Sequence, residues 1–287
     1  MAMMFVSKLL LPVVFLLAAV IPTNALVVLP DGRRVHIIKN DILLDAVGDF
    51  IVERVEHLAK EAIASKGAFS MSIGSGTTVK PLERLLSVGS QDSGVGIDFS
   101  KVHVFFGNER TEGEAAGKCF NSGADVFAAL NLPDSNVHRV PTDLPAEEAA
   151  AIYAQTLRDM PREVVGVCES TGLPSFDLCL LGSGADGHCA SLYPDSAQVV
   201  QSPGCRLAYL PAEGKGGITL SIDMINSARN VLISAAKPPQ ADMCRKSLGW
   251  SNAATNHKLP AGMISTSEGA VVEWILSEQS AADLPAM

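Results

Sequence analysis

The chain of 287 residues offers no CxxC pair among its six cysteines, no internal repeat, no heptad pattern and no low-complexity tract. The first absence removes the usual ligand spacing of a zinc site. The others set aside solenoids and coiled coils. Positive charge is also in short supply. Lys and Arg total 22 against 31 Asp and Glu, a formal net charge of −9, which argues against nucleic acid and against a membrane surface as partners. An anionic small molecule would need a local positive pocket. The apolar run after Lys8 stops at 13 residues, short of the roughly 20 that a spanning helix needs. What the chain does have is apolar mass, 47% against 18% charged, ample for one sizeable α/β core in a single large domain.

That run, LLLPVVFLLAAVI, followed by small residues up to Thr23-Asn24-Ala25, matches a secretory signal cleaved after Ala25. The expected division is a leader over 1–25 and one α/β domain over 26–287. The expected destination is the secretory pathway, either the endoplasmic reticulum lumen or the exterior, with no KDEL-like ending present. No membrane contact is expected once the leader is gone. A bipartite plastid address is the rival, although LVVLPDGRRVHIIKN follows at once and leaves little room for a transit segment. An oxidising lumen permits disulfides, yet a core this large does not depend on them, and Cys179 in a strand reads as a buried thiol.

Periodicity then gives the architecture. Val35 to Ile38 reads as a strand, and Asp41 to Ser65 as a helix with apolar Ile42, Ala46, Phe50, Val55 and Leu58. Ala68 to Ile73 is the next strand, running through Gly74-Ser75-Gly76-Thr77-Thr78 into a helix from Val79 to Leu86. Further strands are expected at Val102 to Phe106, Val137 to Val140, Ile218 to Ser221 and Val231 to Ala236, the last two flanking a turn around Asn226; a helix is expected from Ala146 to Met160. Alternating strands and helices imply an α/β fold, an open, mainly parallel sheet with helices on both faces.

Two glycine-rich loops follow strands, where chemistry gathers in such folds. Ser75, Gly76, Thr77 and Thr78 supply backbone amides and hydroxyls in the strand–loop–helix order that cradles phosphate, though an ordinary tight turn would read the same. Leu178 to Leu181, an apolar run suited to a strand covered on both faces, leads into Gly182-Ser183-Gly184-Ala185-Asp186-Gly187-His188. The glycines allow close backbone approach. Asp186 either orients His188 or shapes the turn, amides from Gly184 to His188 are candidate oxyanion donors, and Ser191 is expected on the first turn of a helix whose amides favour anions. His36, His57, His103, His138 and His257 fall on expected strand faces, helices or surface, so His188 alone is framed by a glycine loop at a strand end.

The full wording, GxGxDGHxASLYP over residues 182–194, resembles the signature loop of the 6-phosphogluconolactonases, relatives of the glucosamine-6-phosphate deaminases and ribose-5-phosphate isomerases. In the deaminases the DGH continues with an Ile-Ala-Phe-Asn-Glu-like run, so Ala190, Ser191, Leu192, Tyr193 and Pro194 favour the lactonase branch. The resemblance extends over roughly residues 35–283. It implies that the GSGTT loop, similar to the family's SGGS and to the isomerase version, holds a sugar phosphate. It implies too that Arg110 in Gly107-Asn108-Glu109-Arg110 reaches the substrate's anionic groups, as in the family's Asp-Glu-Arg. A guanidinium suits that task through two parallel hydrogen bonds; a salt bridge with Glu109 or Glu112 is the plainer role. Three departures stand out. Asn108 replaces an aspartate and cannot act as a base, Gly217 replaces an arginine before Ile218-Thr219, and Lys215 and Lys237 lie out of register with the family's Gly-x-x-Lys.

The reaction implied is opening of 6-phospho-D-glucono-1,5-lactone, with His188 taking a proton from water and returning it to the ring oxygen. It needs no metal or other cofactor. Asp186 is the second catalytic candidate; Gly74, Ser75, Gly76, Thr77, Asn108, Arg110, Gly184 and Ser191 are the candidate substrate contacts. Cys189 is a spacer in this reading. The substrate would come from a glucose-6-phosphate dehydrogenase. Asn108, Gly217 and the displaced lysine motivate an alternative, a sugar-phosphate binding protein of the same fold with impaired catalysis; an isomerase or deaminase activity is the third possibility.

Overall fold

The computed structural model describes residues 24–39, 45–76, 78–85, 96–200, 207–210, 216–250, 255–256, 258–265 and 269–284. The expected leader lies outside the described residues except for Asn24 and Ala25.

The central sheet has seven strands: β1 (Ala25–Val28), β2 (Arg34–Ile38), β3 (Phe69–Ile73), β4 (Val102–Phe106), β8 (Leu178–Gly182), β11 (Asn230–Ser234) and β12 (Val271–Ser277). Their spatial order is β1-β2-β12-β11-β8-β3-β4. Only β1 runs antiparallel to its neighbour, and the other six are parallel. The apolar run Leu178–Leu181 is buried along its whole length, as a strand covered on both faces requires. A small antiparallel sheet of β5 (Asn108–Arg110), β10 (Gly217–Leu220) and β9 (Leu207–Leu210) stands beside it, and β6 (Gly166–Val167) pairs with β7 (Pro174–Ser175).

Helix α1 (Asp45–Lys66) buries Val47, Ile51, Val55, Leu58 and Ala62, a stripe at helical spacing. It ends at Gly67, whose φ of +88° suits a glycine after the last turn. Val55 and Ala59 of α1 and Val126 and Phe127 of α2 (Lys118–Ala129) share one apolar space with Phe69, Met71 and Val104 of the sheet. The opposite face takes α3 (Ala146–Asp159), whose buried Tyr153 hydroxyl accepts from the Phe106 amide at 2.8 Å. Helices therefore cover both faces, as the alternating pattern requires.

A buried guanidinium fastens the far edge. Arg33 bonds Asp31 at 2.7 Å, the carbonyls of Ser247 and Leu248 at 2.9 and 3.2 Å, and the Thr255 hydroxyl at 3.2 Å. It thereby satisfies carbonyls at the C-terminal end of the helix Ala241–Leu248, groups left without intrahelical partners.

Three expected elements take different forms. Of the helix expected over Val79–Leu86, Lys80–Arg84 is a 3₁₀ turn with Pro81, which lacks an amide donor, in its first turn; Leu85 is helical and Leu86 lies outside the described residues. Val137 makes a single bridge to Val104 instead of opening a strand, and Pro141 follows shortly after. The turn around Asn226 is a short helix, Ile222–Asn226, capped by the Ser221 hydroxyl accepting from the Met224 amide.

Candidate active site

Strand β8 delivers the histidine loop. The Gly184 amide donates to the His188 carbonyl and the Gly187 amide to the Gly184 carbonyl, both at 3.0 Å, closing a tight hairpin in which Gly187 has φ +85°. Inside it, Asp186 Oδ1 accepts from the His188 amide at 3.2 Å and from the imidazole Nδ1 at 2.6 Å. Asp186 therefore shapes the turn and orients the ring at once. Burial opposes its ionisation, but the hydrogen bonds from the His188 amide and imidazole outweigh that and hold its pKa below the ordinary carboxylate value. An ionised carboxylate only accepts, so Nδ1 carries a proton, and in the neutral ring Nε2 presents a lone pair. No described residue hydrogen-bonds Nε2, and the His188 side chain is 33% exposed. The Tyr193 ring lies against it at 4.8 Å between centroids.

Gly184 makes this approach possible. A Cβ there would fall 2.2 Å from His188 Nδ1 and 2.4 Å from Asp186 Oδ1, so the carboxylate–imidazole bond occupies the space of a side chain.

Ser191 does not open a helix. The segment from Cys189 to Leu192 closes on itself through reciprocal backbone bonds of 3.2 and 2.9 Å, with Ala190 at φ +53°, and a helical turn begins only at Ala197. A left-handed residue there breaks any helical run. Ser191 is instead buried, its amide donating to the Thr219 hydroxyl at 3.2 Å and its hydroxyl accepting from the Asn108 side-chain amide at 2.9 Å. The expected oxyanion donors need a second correction. The amides of Gly184, Gly187 and His188 are consumed within the hairpin and that of Asp186 turns onto its own carboxylate, leaving that of Ala185.

The phosphate-type loop meets the same cluster. Asn108 Oδ1 is 3.4 Å from where a Gly74 Cβ would stand, so Gly74, Asn108 and Ser191 converge. Gly76 adopts φ +94°. Ser75 stands close to the buried Cys119 thiol, Thr77 lies outside the described residues, and the buried Thr78 hydroxyl has no hydrogen-bond partner among the described residues.

Arg110 is half-buried on β5, its backbone paired with Gly217. Its neighbour Glu109, 2% exposed, turns its carboxylate onto the first turn of α2, accepting from the Cys119 and Phe120 amides at 2.8 Å each. That helix end, an anion site by its dipole, is thus filled from within.

Between α1 and the carboxyl ends of β8 and β11 lies a cavity of about 230 Å³, lined by Gly182, Ser183, Gly184, Ser234, Lys237 and Gln240 among others. Ala185 lies on its wall, whereas His188 and Arg110 do not line it. Gln240 joins the two loops, bonding the Ser183 carbonyl through Nε2 and the Lys237 amide through Oε1. Lys237, out of register in the sequence, therefore faces the same crevice as the histidine hairpin's backbone. Cys189 is fully buried and burial pushes its thiol up to about 12, which rules out a thiolate nucleophile at neutral pH.

A family model described as glucosamine-6-phosphate isomerases/6-phosphogluconolactonase matches residues 44–274. The chain belongs to this family. Among curated relatives, probable 6-phosphogluconolactonase 2 of Arabidopsis thaliana is 28% identical over 267 residues, covering 89% of this chain and 96% of that protein. Probable 6-phosphogluconolactonase 3, chloroplastic, of Oryza sativa subsp. indica is 28% identical over 234 residues, 79% of this chain and 70% of that one. Of solved structures, 6-phosphogluconolactonase from Trypanosoma cruzi superposes with a TM-score of 0.67 at 17% identity, covering 90% and 99% of the two chains. A monomeric glucosamine-6-phosphate deaminase gives 0.63 at 16%, covering 86% and 99%. These two share the fold.

Within the family, two of the departures acquire physical accounts. Asn108 holds Ser191 by donating a hydrogen bond, an orienting task that needs no charge. At position 217 a Cβ would stand 2.7 Å from the Glu109 carbonyl and 3.4 Å from Arg110 Cδ, so the bare glycine lets the β5 backbone and the Arg110 stem lie close across β10.

Proposed function

We propose that the protein hydrolyses 6-phospho-D-glucono-1,5-lactone to 6-phosphogluconate, within the oxidative pentose phosphate pathway. The observation that carries this reading is the His188 imidazole, fixed by Asp186 at 2.6 Å with Nε2 left open, in a family of sugar-phosphate enzymes. Water attacks the lactone carbonyl as Nε2 takes its proton. The tetrahedral oxyanion meets the Ala185 amide, and the imidazolium returns the proton to the departing ring oxygen, leaving the carboxylic acid and a free hydroxyl. Arg110, Ser75, Thr78 and Lys237 hold the phosphate. The chemistry requires a lactone supplied by oxidation of a sugar phosphate, as by a glucose-6-phosphate dehydrogenase.

Following lactone disappearance against its spontaneous opening tests the proposal. Wild type accelerates it and His188→Ala abolishes the gain; equal rates for the two proteins would defeat the assignment. The uncharged Asn108 favours one second reading, binding without turnover. Calorimetry detecting 6-phosphogluconate in a chain that leaves the lactone untouched would establish it.

For the compartment we favour the plastid, through a bipartite leader. Relatives in Oryza sativa and Arabidopsis thaliana are named chloroplastic. A fluorescent fusion of residues 1–40 that is secreted would refute it.

A further inference from the structure

We propose that Tyr193 is a positioning residue for this reaction, its ring holding the His188 imidazole in the orientation that presents Nε2 to water. The inference rests on the lactonase reading above. A single hydrogen bond from Nδ1 to Asp186 fixes one ring atom but leaves the imidazole free to tilt about that bond. Gly184 backs the Nδ1 and Cε1 edge, so close that a Cβ would sit 2.2 and 2.3 Å from those atoms. A further constraint is the Tyr193 ring, 4.8 Å away and inclined by 36°, within the range of attractive aromatic pairs. Tyr193 is 41% exposed, among the few large apolar side chains left open among the described residues, so packing of the core does not account for its place. Its backbone is fixed from both sides. The Cys189–Leu192 turn precedes it, and its own carbonyl accepts from the Ser196 amide at 3.1 Å. The loop thus fixes the position from which the aromatic ring reaches the histidine.

The test compares Tyr193→Ala, Tyr193→Phe and His188→Ala by lactone turnover, with the His188 Hε1 resonance followed by NMR in the first two. Loss of the ring lowers kcat by about tenfold, the size of effect an aromatic contact can supply. KM stays within about twofold of wild type, since binding common to ground and transition states is untouched. Phenylalanine restores both the rate and the ring-current shift of Hε1, which alanine removes. An unchanged kcat in Tyr193→Ala, a Phe variant as slow as the Ala one, or a raised KM with kcat intact would each overturn the proposal. Should His188→Ala retain full activity, the lactonase mechanism itself falls, and the NMR shift still reports whether the two rings touch. Its exposure makes misfolding of Tyr193→Ala unexpected, and the NMR reading holds the structural half of the claim open to refutation independently of activity.

Discussion

Gly184→Ala isolates the geometry of the dyad from every other feature of the site. Gly184 lies outside the left-handed region of φ that alanine resists, so backbone strain contributes nothing and the new methyl acts through space alone. Its Cβ would sit 2.2 Å from His188 Nδ1, 2.3 Å from Cε1 and 2.4 Å from Asp186 Oδ1, where unbonded heavy atoms need roughly 3.5 Å. The imidazole and carboxylate must therefore withdraw by roughly 1 Å together, or part. A displacement of that size at a reacting group costs on the order of 10²-fold in rate, about 2.7 kcal/mol of transition-state stabilisation. The phosphate contacts proposed at Ser75, Thr78 and Arg110 belong to other loops, so KM moves little while kcat falls. The assay is lactone disappearance over a range of substrate concentrations, with the melting temperature of the variant measured alongside. A Gly184→Ala protein that melts like wild type and keeps its kcat would refute the claim that the Asp186–His188 pair, in this position, does the chemistry.

Other consequences can be checked separately. Arg33→Ala strands the carbonyls of Ser247 and Leu248 in a buried setting and is expected to cost about 2–4 kcal/mol, read as a lowered urea midpoint; a midpoint within error of wild type contradicts it. Glu273, 2% exposed, is desolvated, yet hydrogen bonds from His36 and Arg54 at 2.8 Å hold its pKa below the ordinary value. Its contribution is present above the unfolded carboxyl's pKa and disappears as pH falls through the lower folded value. Wild type should thus lose more stability than Glu273→Gln between neutral and strongly acid pH, and parallel melting curves would deny this. For Cys168, burial raises the thiol pKa but hydrogen bonds with Ser170 and Thr171 outweigh it and bring it to about 7. Brief alkylation at pH 8 should therefore mark Cys168 before Cys119, Cys179, Cys189 and Cys244, four buried thiols, as peptide mass spectrometry would reveal.

Strand positions were legible wherever burial on both faces leaves an uninterrupted apolar run, as at Leu178–Leu181, or where glycine punctuates one, as after Ile73. Among the antiparallel strands β10 was legible in Ile218 to Ser221, but β1, β5, β6, β7 and β9 were not. β5 is three residues carrying an amide, an acid and a base, Asn108, Glu109 and Arg110, with no alternation to detect, and its partner β10 lies more than a hundred residues onward. Helix α2 went unseen because its first turn is capped by Glu109 from outside the segment rather than by a local Ser, Thr, Asp or Asn. At the site, wording picked out His188, Asp186 and the loop amides that include Ala185, and it contained Tyr193 without a role, whereas Thr219 and Lys237 owe their places to tertiary geometry. Their chemistry is ordinary until a fold aims it.

That fold explains how loops so distant in sequence converge. In a parallel sheet all carboxyl ends lie along one edge, and a crevice opens there. The order β11-β8-β3-β4 sets side by side the loops that follow them, which carry Lys237, the histidine hairpin, Gly74 and Asn108. The small sheet then fastens the arrangement from above: β10 pairs with β5, and its Thr219 hydroxyl takes the Ser191 amide while Asn108 of β5 donates to the Ser191 hydroxyl. Ser191 is held from both strands and follows His188 by three residues, so the position of the imidazole depends on a strand pairing that no local motif encodes. The histidine loop is therefore placed twice, by β8 behind it and by the β5–β10 pair in front. A chain that kept the DGH wording but lost that pairing would keep the residues of the site without their arrangement.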